Sequence, residues 1–487
     1  MKLYAASIGG KKDSAYLRLF DAINRMTEYD EHLLKQQLKN EAFVKQLSVA
    51  KNYLYGIILK CLVQFYERSA GSSANSAGLN SIEILYEKGL FKQCHRQIKR
   101  AKQQALAQER FYLYDQLLEW EARVFTKSAD YNMVAALTAG QLQVLKRREA
   151  DLQCKKLAYE IYSSTIGKHK SGGGPGKATN QKLMQTLKQM PLPADAGTLG
   201  RYYYYSAYTL YYGYAGDVQQ RVKHAQKVVE ELELHPDFVE VNPGFYTYAA
   251  NNMCNALLAA GDHAGAKRLL QKIRLFLRKP GSPLKAEMAA STMLLTYHIE
   301  LLLFINTGQI TAAVTLEKHV QQELERYKNY VSRDTEWDMF FSMAHALFLA
   351  GDFGKASAWL QKLLNTGKFS ARYDLYVVSK LFYLLILVEQ EDWKLLQNLC
   401  NTIAQYLRRK NLDSGVELEL IRLLKAYRNL ADTERREGLQ KLYQQIELMK
   451  QQKKPSLLVE LLDVESWLLS KIKNRPIIEM ASNRTVQ

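Results

Sequence analysis

The chain has 487 residues, 47% of them apolar, with 67 Lys and Arg against 49 Asp and Glu for a formal charge of +18. That length and apolar content exclude a disordered chain and fit roughly three ordinary domains or one extended repeat array. The five cysteines (Cys61, Cys94, Cys154, Cys254, Cys400) are scattered without a CxxC pair, which excludes a disulfide framework or a zinc ribbon and points to reduced thiols in a cytoplasmic protein. The positive charges are intermixed with negative ones along most of the chain, the pattern of a solvated basic surface or of a partner that is acidic.

In chain order, MKLYAASIGGKKD opens with a short apolar run and no cleavage site, so no signal peptide is expected. Three helical patterns come next, at 14–26, 30–40 and 48–68, the third expected to bury Leu54, Ile57, Ile58, Cys61, Leu62 and Phe65 on one face. Residues 1–68 read as a helical module that either caps the downstream helices or binds DNA in helix-turn-helix fashion, with Lys51, Asn52, Tyr55 and Lys60 facing a groove. An aromatic-rich start of the third helix, expected to be buried, favours the cap. The words YLRLFDAINRMTEYDE and FVKQLSVAKNYLYGIILKCL resemble the N-terminal signature of an uncharacterised bacterial family of helical-repeat proteins of about 500 residues. The resemblance implies a helical-repeat architecture and a short segment preceding this start, and it implies no activity.

SAGSSANSAGLN (69–80) reads as a linker, after which breaks in the helical pattern recur at Gly89, Asp130, Gly173, Gly216, Gly261, Gly308, Gly351, Glu391 and Asp432, 40 to 47 residues apart. Near-constant spacing with an apolar helix on each side is the signature of stacked helical hairpins, none of which can bury its apolar face alone. The expected fold is all-α: about nine hairpins over residues 81–470 and a polar tail over 471–487. Three breaks carry the words YYGYAGDVQQ, ALLAAGDHAGA and HALFLAGDFGKA. Glycine closes one helix in the left-handed conformation and Asp caps the next. With small residues at Ala266, Ala344 and Ala356, this arrangement resembles tetratricopeptide repeats, which implies an α-α superhelix with a concave face that takes peptides.

KQCHRQIKRAKQ (92–103) sets Lys92, Arg96, Lys99 and Arg100 along one helix side, a candidate patch for an acidic partner. KHKSGGGPGKATN (168–180) invites a nucleotide reading, but a phosphate loop needs Gly where Ser171 stands and Ser or Thr where Ala178 stands. No nucleotide or other cofactor is therefore expected. The run RYYYYSAYTLYYGYAGD puts Tyr204 and Tyr208 on one stripe, to pack between hairpins or to line a binding face. On first helices of hairpins, Asn252, Asn255, Ser342 and His345 occupy offsets of nine and six before Gly261 and Gly351, making them candidates for a concave partner-binding surface. PSLLVELLDVESWLLSKI reads as a last helix that caps the end of the stack, and the most apolar run, Leu381–Val388, is too short to span a membrane.

No nucleophile elbow or HExxH motif is present in the sequence, and paired carboxylates such as Glu230-Glu231 read as ordinary helix-surface charge. The expected function is a non-catalytic scaffold that binds a protein or peptide. The alternatives are a DNA-binding transcriptional regulator with a repeat sensor domain and an RNA or single-strand binder.

Overall fold

A computed structural model describes residues 15–26, 29–69, 74–166, 177–277, 286–366, 373–410, 415–452 and 456–482. The chain is all-helical, and no strand occurs among the described residues. It divides into two compact units, residues 1–104 with 112–138, and residues 105–111 with 139–487.

The first unit begins with α1 (Ala15–Asn24), α2 (Glu31–Gln37), a 3-10 turn (Ala42–Gln46) and α3 (Leu47–Ser69). Leu19, Leu34, Leu47, Ala50 and Leu54 form its small core, and Arg18 clamps Glu41 through Nε at 2.7 Å and a terminal nitrogen at 3.0 Å. The aromatic start of α3 is not buried: Tyr53 and Tyr55 are 55% and 64% exposed, and Leu62 lies at 45%. A core of five short apolar residues is too small to cover a 23-residue helix on more than one face. Residues 74–80 of the expected linker belong to α4 (Ala74–Glu87), which Gly89 joins to α5 (Phe91–Ala107), and Cys94 Sγ of α5 lies 3.5 Å from Ile82 O of α4.

Next come α6 (Phe111–Lys127) and α7 (Tyr131–Ile166). The sequence reading expects α7 to be two helices of successive hairpins, yet it is one helix of 36 residues. The physical reason is in its middle: QVLKRREADLQC holds neither Gly nor Pro, so nothing there stops a helix.

The second unit continues with α8 (Lys177–Gln189), α9 (Thr198–Ala215), α10 (Val218–Leu234), α11 (Pro236–Val241), α12 (Pro243–Ala259), α13 (His263–Leu277), α14 (Ala286–Asn306), α15 (Ile310–Thr315), α16 (Glu317–Arg326), α17 (Arg333–Leu349), α18 (Phe353–Leu364), α19 (Tyr373–Glu389), α20 (Trp393–Lys410), α21 (Val416–Ala426) and α22 (Asp432–Gln451). Pro236 and Pro243 open their helices, where no N–H is needed. Consecutive helices pair, α9 with α10, α12 with α13, α17 with α18, and alternate helices also touch, α12 with α14 and α14 with α17.

The breaks have a common chemistry. Gly216, Gly261 and Gly351 have φ of 75°, 77° and 84°, and the following Asp217, Asp262 and Asp352 accept from the backbone N–H three residues on at 3.0, 2.8 and 3.1 Å. The same turn is made without glycine at Ala129-Asp130 and Glu391-Asp392, where φ is 53° and 57° and the Asp accepts at 3.2 and 3.1 Å. Gly173 and the rest of the glycine-rich stretch 167–176 lie outside the described residues.

Side-chain bonds recur at separations close to the break spacing. Thr292 donates to Thr247 at 3.2 Å, Ser342 meets His298 at 2.8 Å, Trp359 donates to Glu317 at 2.9 Å, and Lys272 to Glu233 at 2.5 Å. One core runs from Leu294 to Ala481, with Trp337, Phe348, Trp359, Phe382 and Trp467 at its centre.

The C-terminal segment departs from expectation. It breaks at Leu462-Asp463 into α23 (Leu457–Leu461) and α24 (Val464–Lys473), and the expected polar tail supplies α25 (Ile477–Ser482). Rather than only ending the stack, it doubles back. Ser456 bonds Glu417 at 2.8 Å, Asp463 N–H donates to His345, Trp467 donates to Glu389 at 2.6 Å, and α25 packs on α15 and α17. Apolar residues explain it: Trp467, Leu468, Ile477, Met480 and Ala481 are all buried.

The longest apolar run is also elsewhere than expected. Met288–Asn306 of α14, 19 residues of mean hydropathy 1.6, is long and apolar enough to cross a membrane by length and composition. In the fold its Ile299 and Leu303 pack against Cys254, Leu257 and Leu270 of α12 and α13, and it carries Glu300, ion-paired to Arg274.

Candidate binding cavity

Helices α12, α14 and α17 bring polar residues from different offsets to one cavity. Asn255, His298 and Ser342 stand 43 and 44 residues apart and line a single cavity of about 630 Å³. His345, one turn beyond Ser342, and Asp338, one turn before it, project into the same space because residues three and four apart share a helix face. The far wall is the returning chain, Leu461, Leu462, Asp463 and Glu465, with Lys450 of α22 ion-paired to Glu465.

The polar groups are held firmly. Ser342 is 2% exposed with Oγ 2.8 Å from His298 Nδ1, and His345, 5% exposed, accepts the Asp463 N–H on Nε2 at 3.2 Å. His345 thus carries its ring proton, when neutral, on Nδ1. A serine bonded to a histidine is the pairing of a nucleophile with its base. Here the serine lies within α17, where backbone N–H groups are used by the helix itself, so the donors that face Ser342 across the cavity are side chains such as Asn255. Among the described residues no three His, Cys, Asp or Glu converge to hold a metal ion.

The sequence-derived candidates are therefore divided. Asn255, Ser342 and His345 share the cavity, while Asn252, exposed on α12, lines a second cavity between α7, α9, α10 and α12. Tyr204 and Tyr208 line neither. The Tyr208 hydroxyl donates to Leu187 O at 3.3 Å and its ring stacks on His224 at 5.0 Å, so this stripe serves packing. Lys92, Arg96, Lys99 and Arg100 are exposed on α5 and make no ion pair among the described residues. Lys51, which faces a groove in the alternative DNA-binding reading, is bound to Glu31 at 2.7 Å and Tyr29 at 2.9 Å, and holds the Glu31 carboxyl down at about 2.

The sequence reading misses His298 because no glycine-aspartate word marks the break after it. Its signal is the period itself, 43 residues beyond Asn255. Fold and cavity define an all-helical chain with a polar, preformed cleft. No protein-family model matches it, and no curated protein does.

Proposed function

We propose that the chain is a non-catalytic scaffold, a TPR-like solenoid of helical hairpins whose cavity holds an extended segment of a protein partner. One observation carries the reading: Asn255, His298 and Ser342, from the three helices α12, α14 and α17, bring hydrogen-bonding groups into one cavity. An extended peptide offers donors and acceptors at regular intervals, which such groups can meet. Side-chain bonds at about one period, such as Thr247 to Thr292 and Glu317 to Trp359, support the stacking. The unpaired cations on α5 favour an acidic partner. Free cysteines at Cys61, Cys94, Cys154, Cys254 and Cys400 suit a reducing, cytoplasmic setting.

The DNA reading draws less support because Lys51 is tied to Glu31, and the single-strand reading because Tyr204 and Tyr208 pack internally. The test is selection from a displayed random-peptide library on the full chain. Selected peptides are expected to bind the Asn255→Ala/Ser342→Ala variant at least about tenfold more weakly, the effect of losing one or two buried hydrogen bonds. No enrichment, or equal binding by the variant, would reject the proposal.

A further inference from the structure

The second cavity, about 850 Å³, is enclosed by tyrosines from α7, α9 and α12, among them Tyr202, Tyr214 and Tyr248. Among its described lining residues the cation is Arg221 of α10. Its side chain lies along α9 at Gly213, where a Cβ would stand 3.3 Å from Nε, so the glycine leaves room for the guanidinium. Arg221 makes no ion pair among the described residues, and no carboxylate is found among the described lining residues. Asp217, one turn earlier on α10, caps that helix at Gln220 N–H. Burial lowers the Arg221 pKa, and no neighbouring carboxylate offsets it.

A half-buried guanidinium facing aromatic walls is uncompensated until an anion arrives. One planar fork matches one carboxylate in bidentate fashion, whereas a phosphate dianion calls for more than a single positive charge. The tyrosine rings offer edges and faces to an aromatic body, and Asn252 adds a polar group at the rim. The volume falls in the range of small-molecule sites. We propose that this cavity binds an aromatic carboxylate, the acid group on Arg221 and the ring among the tyrosines. The ligand is either a free small acid or the C-terminal residue of a peptide. This inference is independent of the first cavity.

Isothermal titration of the full chain with 3-phenylpropionate, its amide, phenyl phosphate, and acetyl-Gly-Phe as free acid and as amide tests it. Saturable binding of at least one acid is expected, with the matching amide weaker by at least about tenfold. Preference for 3-phenylpropionate over acetyl-Gly-Phe acid assigns a free acid, and the reverse a peptide terminus. Arg221→Gln should abolish the difference between acid and amide, while Arg221→Lys keeps part of it. The acid and amide comparison uses the wild-type protein, so it stands even where a variant fails to fold. Equal binding of acid and amide, tighter binding of phenyl phosphate than of either acid, unchanged selectivity in a folded Arg221→Gln variant, or no saturable binding would each overturn the proposal.

Discussion

Asp151, buried in α7, accepts the backbone N–H groups of Gly197 and Gly200 at 2.9 and 3.0 Å, while Glu109 takes the Thr198 N–H at 2.8 Å and its hydroxyl at 3.1 Å. Together they satisfy donors at the start of α9 that no local side chain reaches. This arrangement explains the two glycines. A Cβ at Gly200 would stand 2.3 Å from Asp151 Oδ1, and one at Gly197 2.9 Å from Glu109 Oε2. Gly200→Ala should therefore destabilise by about 1–3 kcal/mol in urea unfolding. Burial, opposed by the two N–H bonds and reinforced by Glu109, pushes the Asp151 carboxyl up to about 6. The folded state then holds that proton more tightly than the unfolded chain, whose Asp titrates near pH 4. The resulting stability is present below about pH 4 and is lost as pH rises to about 6. Asp151→Asn keeps an acceptor without the titration, so the stability of wild type relative to this variant should fall across pH 4–6 and level off above. Asp151→Ala should cost about 1–2 kcal/mol at pH 7.

At the level of helices and turns, Glu391 performs with a side chain what Gly216, Gly261 and Gly351 perform without one, at φ of 57°. Left-handed backbone costs a residue with a Cβ about 1 kcal/mol, so Glu391→Gly should raise the free energy of unfolding in urea by about that amount. The exposed leucines of α7, Leu145 at 51% and Leu152 at 60%, make the opposite case. Leu145→Lys with Leu152→Lys should shift stability by less than about 0.5 kcal/mol per site. Turns such as Gly261-Asp262 are legible in sequence because the cap and the left-handed residue are adjacent, a local chemistry. The unbroken α7 is legible too, in its lack of Gly and Pro between 141 and 166, but the regular period argues for a turn there. The pairings of Asp151 with Gly197 and of Glu109 with Thr198 lie 46 and 89 residues apart, and no local pattern announces them. The cavity is half legible: periodic offsets find Asn255, Ser342 and His345, while its far wall depends on a chain reversal that hydrophobic spacing does not encode.

Across the second unit, the returning segment binds the structure over long separations, from Ser456 at Glu417 to Ser482 at Gly308, where a Cβ would lie 2.8 Å from Ser482 Cα. Gly308→Ala should loosen α25, seen as faster amide exchange at residues 477–482 with little change in the rest of the unit. Ending the chain at Gln452 would uncover the faces of α22, α19 and α17 on which α24, α23 and α25 pack. Several kcal/mol of stability should be lost, read as a lowered melting temperature with increased dye binding to apolar surface.

That reversal also orders events in time. His345 emerges from the ribosome 118 residues ahead of Asp463, its partner across the cavity. At roughly 5–20 residues per second, the helices wait on the order of ten seconds without their closing wall. During that interval their apolar faces are open to chaperones, and a product stalled or clipped in the stretch between them never assembles the cleft at all.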